Sequence, residues 1–222
     1  MRPLNEKNSF ERKSNARDFN KICFVVPEGD STEVQYFEGL KKSSEYLNLN
    51  KRIHLTLLEN EEKEFGQSHL KRKISNFENS VKEGKIGYLK DIDRVAFIAD
   101  RDPQNFKEEQ YDEMIEQCVK AGYELYISNP TFELFLLMYD DRIFDLDRKQ
   151  MIENRKISSK RFLETKVNEF FGHNKRHLVF DIYKDRIAIA IKNEKKFCED
   201  LKELKSNLGS NVGLFLDSLI RH

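Results

Sequence analysis

Four acidic residues stand out because each follows a segment that reads as a β-strand. Glu28 follows the apolar run 22–26, Asp100 and Asp102 leave the run 95–99 two positions apart, and Glu133 lies shortly after the run 123–127. In an open parallel sheet, ligands bind outside the carboxyl ends of the strands. Carboxylates gathered at that edge repel one another unless they take up protons or share a cation. Their oxygens are hard donors of the kind Mg²⁺ accepts alongside water and phosphate oxygens. A cation held in this way can polarise a phosphodiester and stabilise charge on the attacking and leaving oxygens. Each acid also has a purely structural reading. Asp30 or Ser31 could cap the helix that follows, and Asp102 before Pro103 could simply open a turn. Glu33, in the first turn of that helix, suits the positive end of the helix dipole without any function. The same turn faces the sheet edge, so Glu33 is equally a candidate ligand.

The elements that would position these residues follow from hydrophobic periodicity. Residues 1–20 are polar and mixed in charge and read as a tail. Apolar runs at 22–26, 53–58, 95–99 and 123–127 read as strands. Helical stripes alternate with them: Val34, Phe37, Leu40 and Leu47; then Leu70, Ile74, Phe77 and Val81, ending near Gly84; then Tyr111, Met114, Ile115, Cys118 and Val119, stopped by Gly122. Thr32 and Gln35 have capping-box spacing. Asn129 is placed to cap, and Pro130 to fill the first turn of, an apolar helix running through Met138. Residues 59–66 are acid-rich and loop-like. Strand–helix alternation implies an α/β core, a mostly parallel four-stranded sheet with helices on both faces, over 21–140. The remainder, 141–222, reads as a helical region packing on that core, with helices near 158–171 and 184–205 and a short last one carrying Val212, Phe215, Leu216 and Leu219.

Composition narrows the classes. The chain of 222 residues suits one domain, and its 17 Phe and 8 Tyr supply a core despite 35% charged residues. Lys+Arg and Asp+Glu both number 39, so bulk charge cannot hold the protein on nucleic acid and local patches must do so. The best patch is 142–161, with seven Lys and Arg against three acids, followed by Lys175, Arg176, Lys184 and Arg186. Lys156, Lys160, Arg161, Lys175 and Arg176 are the candidates for phosphate contacts; a solvated helix surface is the plain alternative. Arg101, between the two aspartates, would lie beside any metal site and could hold a phosphate or neutralise its neighbours. Cys23, Cys118 and Cys198 are scattered and odd in number, against a disulfide framework or zinc knuckle. His173 and His177 lack a third ligand, and Ser128 lacks a nucleophile-elbow pattern. Gly29 is the one glycine in its turn, so a phosphate-cradling glycine loop is absent. The apolar run 135–139, with Phe132 and Leu134 just before it, is too short to span a bilayer, and the N-terminus carries no secretory apolar segment. A cytoplasmic protein is expected, with no membrane partner.

Three stretches carry a family resemblance. FVVPEGDSTEVQYFEGL (24–40), AFIADRDPQNF (96–106) and ISNPTFELFLLMY (127–139) resemble, in order and spacing, the EG-x-x-TE-x-x-YF, DRD and SNP-x-FE motifs of RloB-like proteins. Weaker likeness continues through 174–175, 188–190 and 207–219. The resemblance implies a Toprim-like core and a divalent-metal phosphodiesterase site with Glu28, Asp100 and Asp102 as ligands to Mg²⁺ or Mn²⁺. Glu33 and Glu133 would assist as ligands or a base, and Arg101 would stabilise developing charge. It further implies a nuclease acting on DNA or RNA, including tRNA, in bacterial antiphage defence (abortive infection), beside an ABC-type ATPase partner. A homo-oligomer is left open. The competing readings are a non-catalytic regulatory or scaffold subunit of a defence complex and, more weakly, a nucleotide-handling phosphotransferase.

Overall fold

A computed structural model describes residues 21–29, 31–50, 53–58, 69–102, 108–174 and 177–220. The expected tail over 1–20, the loop over 59–66, Asp30, Pro103, Lys175 and Arg176 lie outside these residues.

Four strands, β1 (Lys21–Pro27), β2 (Ile53–Leu57), β3 (Arg94–Asp100) and β4 (Glu124–Asn129), lie parallel in the order β2-β1-β3-β4. Helices α1 (Thr32–Lys42), α2 (His69–Lys82) and α3 (Glu108–Ala121) connect them, and α4 (Phe132–Leu137) follows β4. Gly84 and Gly122, which stop α2 and α3, take positive φ of 71° and 75°, a backbone region that costs glycine least. Because side chains alternate along a strand, β1 and β3 feed two cores. Cys23, Val25, Ala96 and Ile98 face one core, while Phe24, Val26, Val95, Phe97 and Ala99 face the other, which is covered by α2 and α3. Such doubly buried strands read as continuous apolar runs, which is why they were visible in the sequence.

The sheet has a fifth strand. The two-residue β7 (Gly209–Ser210) pairs antiparallel with the end of β4, and the buried Asn211 side chain accepts from the Ile127 N–H at 2.6 Å. Together they cover an edge that would otherwise expose unpaired backbone. Two residues carry no periodicity, so this strand escapes sequence reading.

The C-terminal region is less continuously helical than expected. It holds α5 (Arg148–Glu153), a hairpin of β5 (Lys156–Ile157) and β6 (Lys160–Arg161), α6 (Phe162–Phe171), α7 (Ile187–Glu194) and α8 (Val212–Ile220). The helix anticipated over 184–205 is α7, preceded and followed by short 3-10 turns at 184–186 and 203–205. Helices α4, α6, α7 and α8 share the first core with α1. No helix among the described residues is long and apolar enough to cross a membrane.

Tyr36 is the hub of that core. It is fully buried and meets the rings of Phe37, Phe132, Phe135, Tyr139, Phe180 and Tyr183 at 5.1–6.4 Å between centroids. Its hydroxyl is hydrogen-bonded to that of Tyr139. Replacing Tyr36 by Phe should leave the buried Tyr139 hydroxyl without this partner, at a cost of about 1–3 kcal/mol. Tyr36→Ala should cost about 3–5 kcal/mol through lost burial and a cavity. Urea unfolding of both variants checks the order; a Tyr36→Phe variant as stable as wild type would show that the hydroxyl pair contributes nothing.

Candidate metal centre at the strand ends

Strand order reverses at β1, whose chain neighbour β2 lies on one side and β3 on the other. The crevice between β1 and β3 is therefore the topological switch point, where open α/β sheets bind ligands. Glu28 and Asp100 lie at its two lips. The Glu28 N–H donates to the Ile98 carbonyl at 2.7 Å, which continues the β1–β3 ladder one residue past the strand. The Glu28 Oε2 accepts from the Asp100 N–H at 3.1 Å. Two positions far apart in the chain are thus locked face to face.

Asp100 turns its own carboxylate toward α4, and its Oδ1 accepts from the Phe132 N–H at 2.8 Å. Thr131, the residue that begins α4, makes no side-chain cap bond, so Asp100 satisfies this helix end from across the sheet. Asn129 does not cap the helix, contrary to expectation. Its peptide bond to Pro130 is cis, and its amide donates to the carbonyls of Leu204 and Asn207 at 2.7 and 3.0 Å. The residue at the N-cap of α1 is Ser31 rather than Thr32. Gln35 reaches back to the Ser31 carbonyl and hydroxyl at 3.0 and 3.2 Å.

Glu33 is buried in the first turn of α1. Its carboxylate lies against Gly29, so a side chain at position 29 would have to push the end of Glu33 aside. Burial foremost, then the Glu133 and Glu28 carboxylates, lift the Glu33 pKa to about 7, against the opposing pull of its own backbone hydrogen bond and Lys73. Asp100 is raised well above the ordinary range by burial and then by Glu33, Glu133 and Glu28, partly offset by its bond from Phe132. Glu28, Glu33, Asp100 and Glu133 thus form one electrostatically coupled set.

Asp102 is brought to the same edge but engaged differently. Its N–H donates to the Pro130 carbonyl at 2.9 Å, and its Oδ2 pairs with Arg161 Nη1 at 2.9 Å. Arg101 takes a different place from the one expected. It is buried, its Nε donates to the Lys205 carbonyl at 2.9 Å, and its guanidinium lies over the Tyr111 ring. Alternation along the strand sends it toward α3, away from the side on which Asp100 reaches α4.

Of the basic candidates, Lys156, Lys160 and Arg161 sit together on the β5–β6 hairpin, where Lys156 pairs with Arg161 and Ile157 with Lys160. Lys156, Arg155 and Ile157 also line a cleft of about 360 Å³ with Gln150, Glu153 and Phe162. His173 is buried and bonded to the Tyr183 hydroxyl, so it serves the aromatic core.

Lys73 was missed by sequence reading. It is buried, and its ammonium donates to the carbonyls of Pro27 and Glu28, the latter at 2.6 Å. It fixes the turn that carries Glu28 and sets a positive charge near Glu33. A usable signal existed: Lys73 lies beside Ile74 and four residues before Phe77, on the apolar stripe of α2.

The donor chemistry suits a hard divalent cation: carboxylate oxygens, partly buried and mutually repelling, at a sheet edge. Among the described residues, no three carboxylate, His or Cys side chains already stand close enough to share one ion. Binding would therefore require side-chain closure around the coupled acids.

The model of the RloB-like protein family matches residues 23–219. No curated protein and no solved structure matches the chain.

The raised Glu33 pKa makes stability depend on pH. The group holds its proton to about pH 7 when folded and to about 4.5 when unfolded. Across that window the folded state binds more protons, so stability falls as pH rises. In cation-free protein this group should remove up to about 3 kcal/mol across the window. Glu33→Gln should flatten that fall. Urea unfolding at about pH 5 and about pH 7.5 tests this, and an unchanged slope in the variant would contradict it.

Proposed function

The chain belongs to the RloB-like family, and we propose that it is a divalent-metal-dependent nuclease of Toprim-like architecture. Its setting would be bacterial antiphage defence, with an ABC-type ATPase as partner. The observation that carries the reading is the coupled set of Glu28, Glu33, Asp100 and Glu133 at the switch point of the sheet. Natural sites that perturb carboxylates in this way tend to be functional.

Glu28 and Asp100 are the primary ligands in this reading, with Asp102 joining them from the next turn of chain. A bound Mg²⁺ or Mn²⁺ would supply Lewis acidity toward the phosphodiester and toward an attacking water. Glu33, whose carboxyl is pushed up to about 7 in the cation-free protein by burial and its acidic neighbours, is the candidate to hold or release a proton beside the ligands. Glu133 adds negative charge to the same space. Lys156 and Lys160 supply phosphate contacts from the hairpin. Arg101, tied to Lys205 and Tyr111, serves the fold rather than the reacting phosphate.

The scaffold alternative draws on one observation, the Arg161–Asp102 ion pair, which is the sort of contact a retired acid would keep. The two readings diverge in a cleavage assay. DNA and RNA panels that include tRNA, incubated with Mn²⁺, should be cut by the wild type. Asp100→Asn and Glu28→Gln should each lose at least about a hundredfold in rate. Full cleavage by Asp100→Asn would remove the mechanism, and the absence of any cleavage together with cation-independent stability would favour the scaffold.

A further inference from the structure

The Arg161–Asp102 pair joins two parts of the molecule that sequence analysis treated separately, the acidic strand ends and the basic hairpin. Resting on the metal-site reading above, we propose that Arg161 is an exchangeable residue. It occupies the Asp102 carboxylate in the cation-free protein and passes to a phosphate of the bound nucleic acid when that carboxylate turns to a cation.

The geometry supports exchange in three respects. First, the contact is reachable. The Arg161 side chain is 36% exposed and that of Asp102 is 14% exposed. The arginine end of the pair is open to water, where an ion pair is weakened and can yield to a better partner. Second, only a side chain needs to move. The hairpin base is fixed by the Phe162 N–H bonded to the Arg155 carbonyl at 3.0 Å and the Leu163 N–H bonded to Asn154 Oδ1 at 3.0 Å. Asn154 is itself buried at the end of α5, and its amide reaches Thr131 Oγ1 at 3.5 Å, which ties the hairpin to the start of α4. The backbone of Asp102 is likewise fixed through its N–H to Pro130. Third, the chemistry is matched. Carboxylate and phosphate present the same paired oxygens to the planar fork of a guanidinium. A guanidinium displaced by a cation would remain beside the site, with Lys160 next to it and Lys156 opposite it on the hairpin. Metal binding and phosphate binding would then be linked through one residue.

Titration calorimetry with Mn²⁺ tests the exchange. Arg161→Gln should bind Mn²⁺ roughly threefold to fivefold more tightly than wild type, because no ion pair has to be broken. Arg161→Lys, which keeps the charge, should stay closer to wild type. Asp100→Asn should abolish binding in either background. In Ca²⁺, labelled single-stranded DNA and RNA oligonucleotides should bind wild type more tightly than without the ion, and Arg161→Gln should lose most of that gain. Unchanged or weaker Mn²⁺ binding by Arg161→Gln, with Asp100 still required, overturns the exchange and leaves the metal site standing. An undiminished Ca²⁺ gain in Arg161→Gln overturns the transfer to phosphate. If wild type shows no Asp100-dependent Mn²⁺ binding, the metal site and the exchange fall together.

Discussion

Repulsion among four carboxylates is the constraint around which this structure is built. The charges of Glu28 and Glu133 raise the proton affinity of Glu33 and of Asp100, in a space where burial already disfavours charge. The fold relieves part of this locally. Lys73 holds the Glu28 turn by two carbonyls and sets its ammonium within electrostatic reach of Glu33. Asp100 takes a hydrogen bond from the first turn of α4, and Glu28 takes one from the backbone of Asp100. What these contacts leave uncompensated must be met by protons or by a cation.

Repelling groups stay together only if the elements that carry them cannot separate. Here the aromatic core beneath the acids supplies the restraint. Tyr36 lies three residues after Glu33 on α1, and Phe132 immediately precedes Glu133 on α4. Their rings meet at 5.4 Å, and Tyr36 also packs against Phe135 and Tyr139 of the chain through and beyond α4. The interhelical contact that buries apolar area is therefore the same one that holds Glu33 and Glu133 in range. On the sheet side, parallel pairing of β1 with β3 does the equivalent for Glu28 and Asp100. Packing energy from the core is what keeps the electrostatic arrangement from relaxing.

Much of this was legible because it is written in short-range pattern. Strands buried on both faces appear as unbroken apolar runs, and α2 and α3 end at glycines whose positive φ the sequence anticipates. Alternation of the two kinds of element gave the parallel sheet, and the acids were placed at strand ends by counting. Other features depend on contacts that no window contains. The β7 strand is two residues long and exists because the edge of β4 needs covering. Asn129 resembles a helix cap in sequence, yet its amide is drawn to carbonyls some 75 residues away. Arg101 stands between two aspartates, but strand alternation and the Tyr111 ring take its guanidinium elsewhere. Lys73 occupies a stripe position that an apolar residue would fill by default.

The same physical reasoning bears on why such a cluster persists. A scaffold gains nothing from Glu33 with its carboxyl wedged against Gly29, because a glutamine or an apolar side chain of similar size would fill the space without raising charge against three neighbours. Buried charge is costly when uncompensated. Asp102 illustrates the contrast: at the same edge, it has a basic partner within 2.9 Å. Asp102 is paired with an arginine, while Glu33 lies within electrostatic reach of Glu28 and Glu133 with Lys73 opposing them. In the reading proposed here, negative potential gathered at this crevice, with Arg161 paired to one member of it, is what a bound cation would relieve.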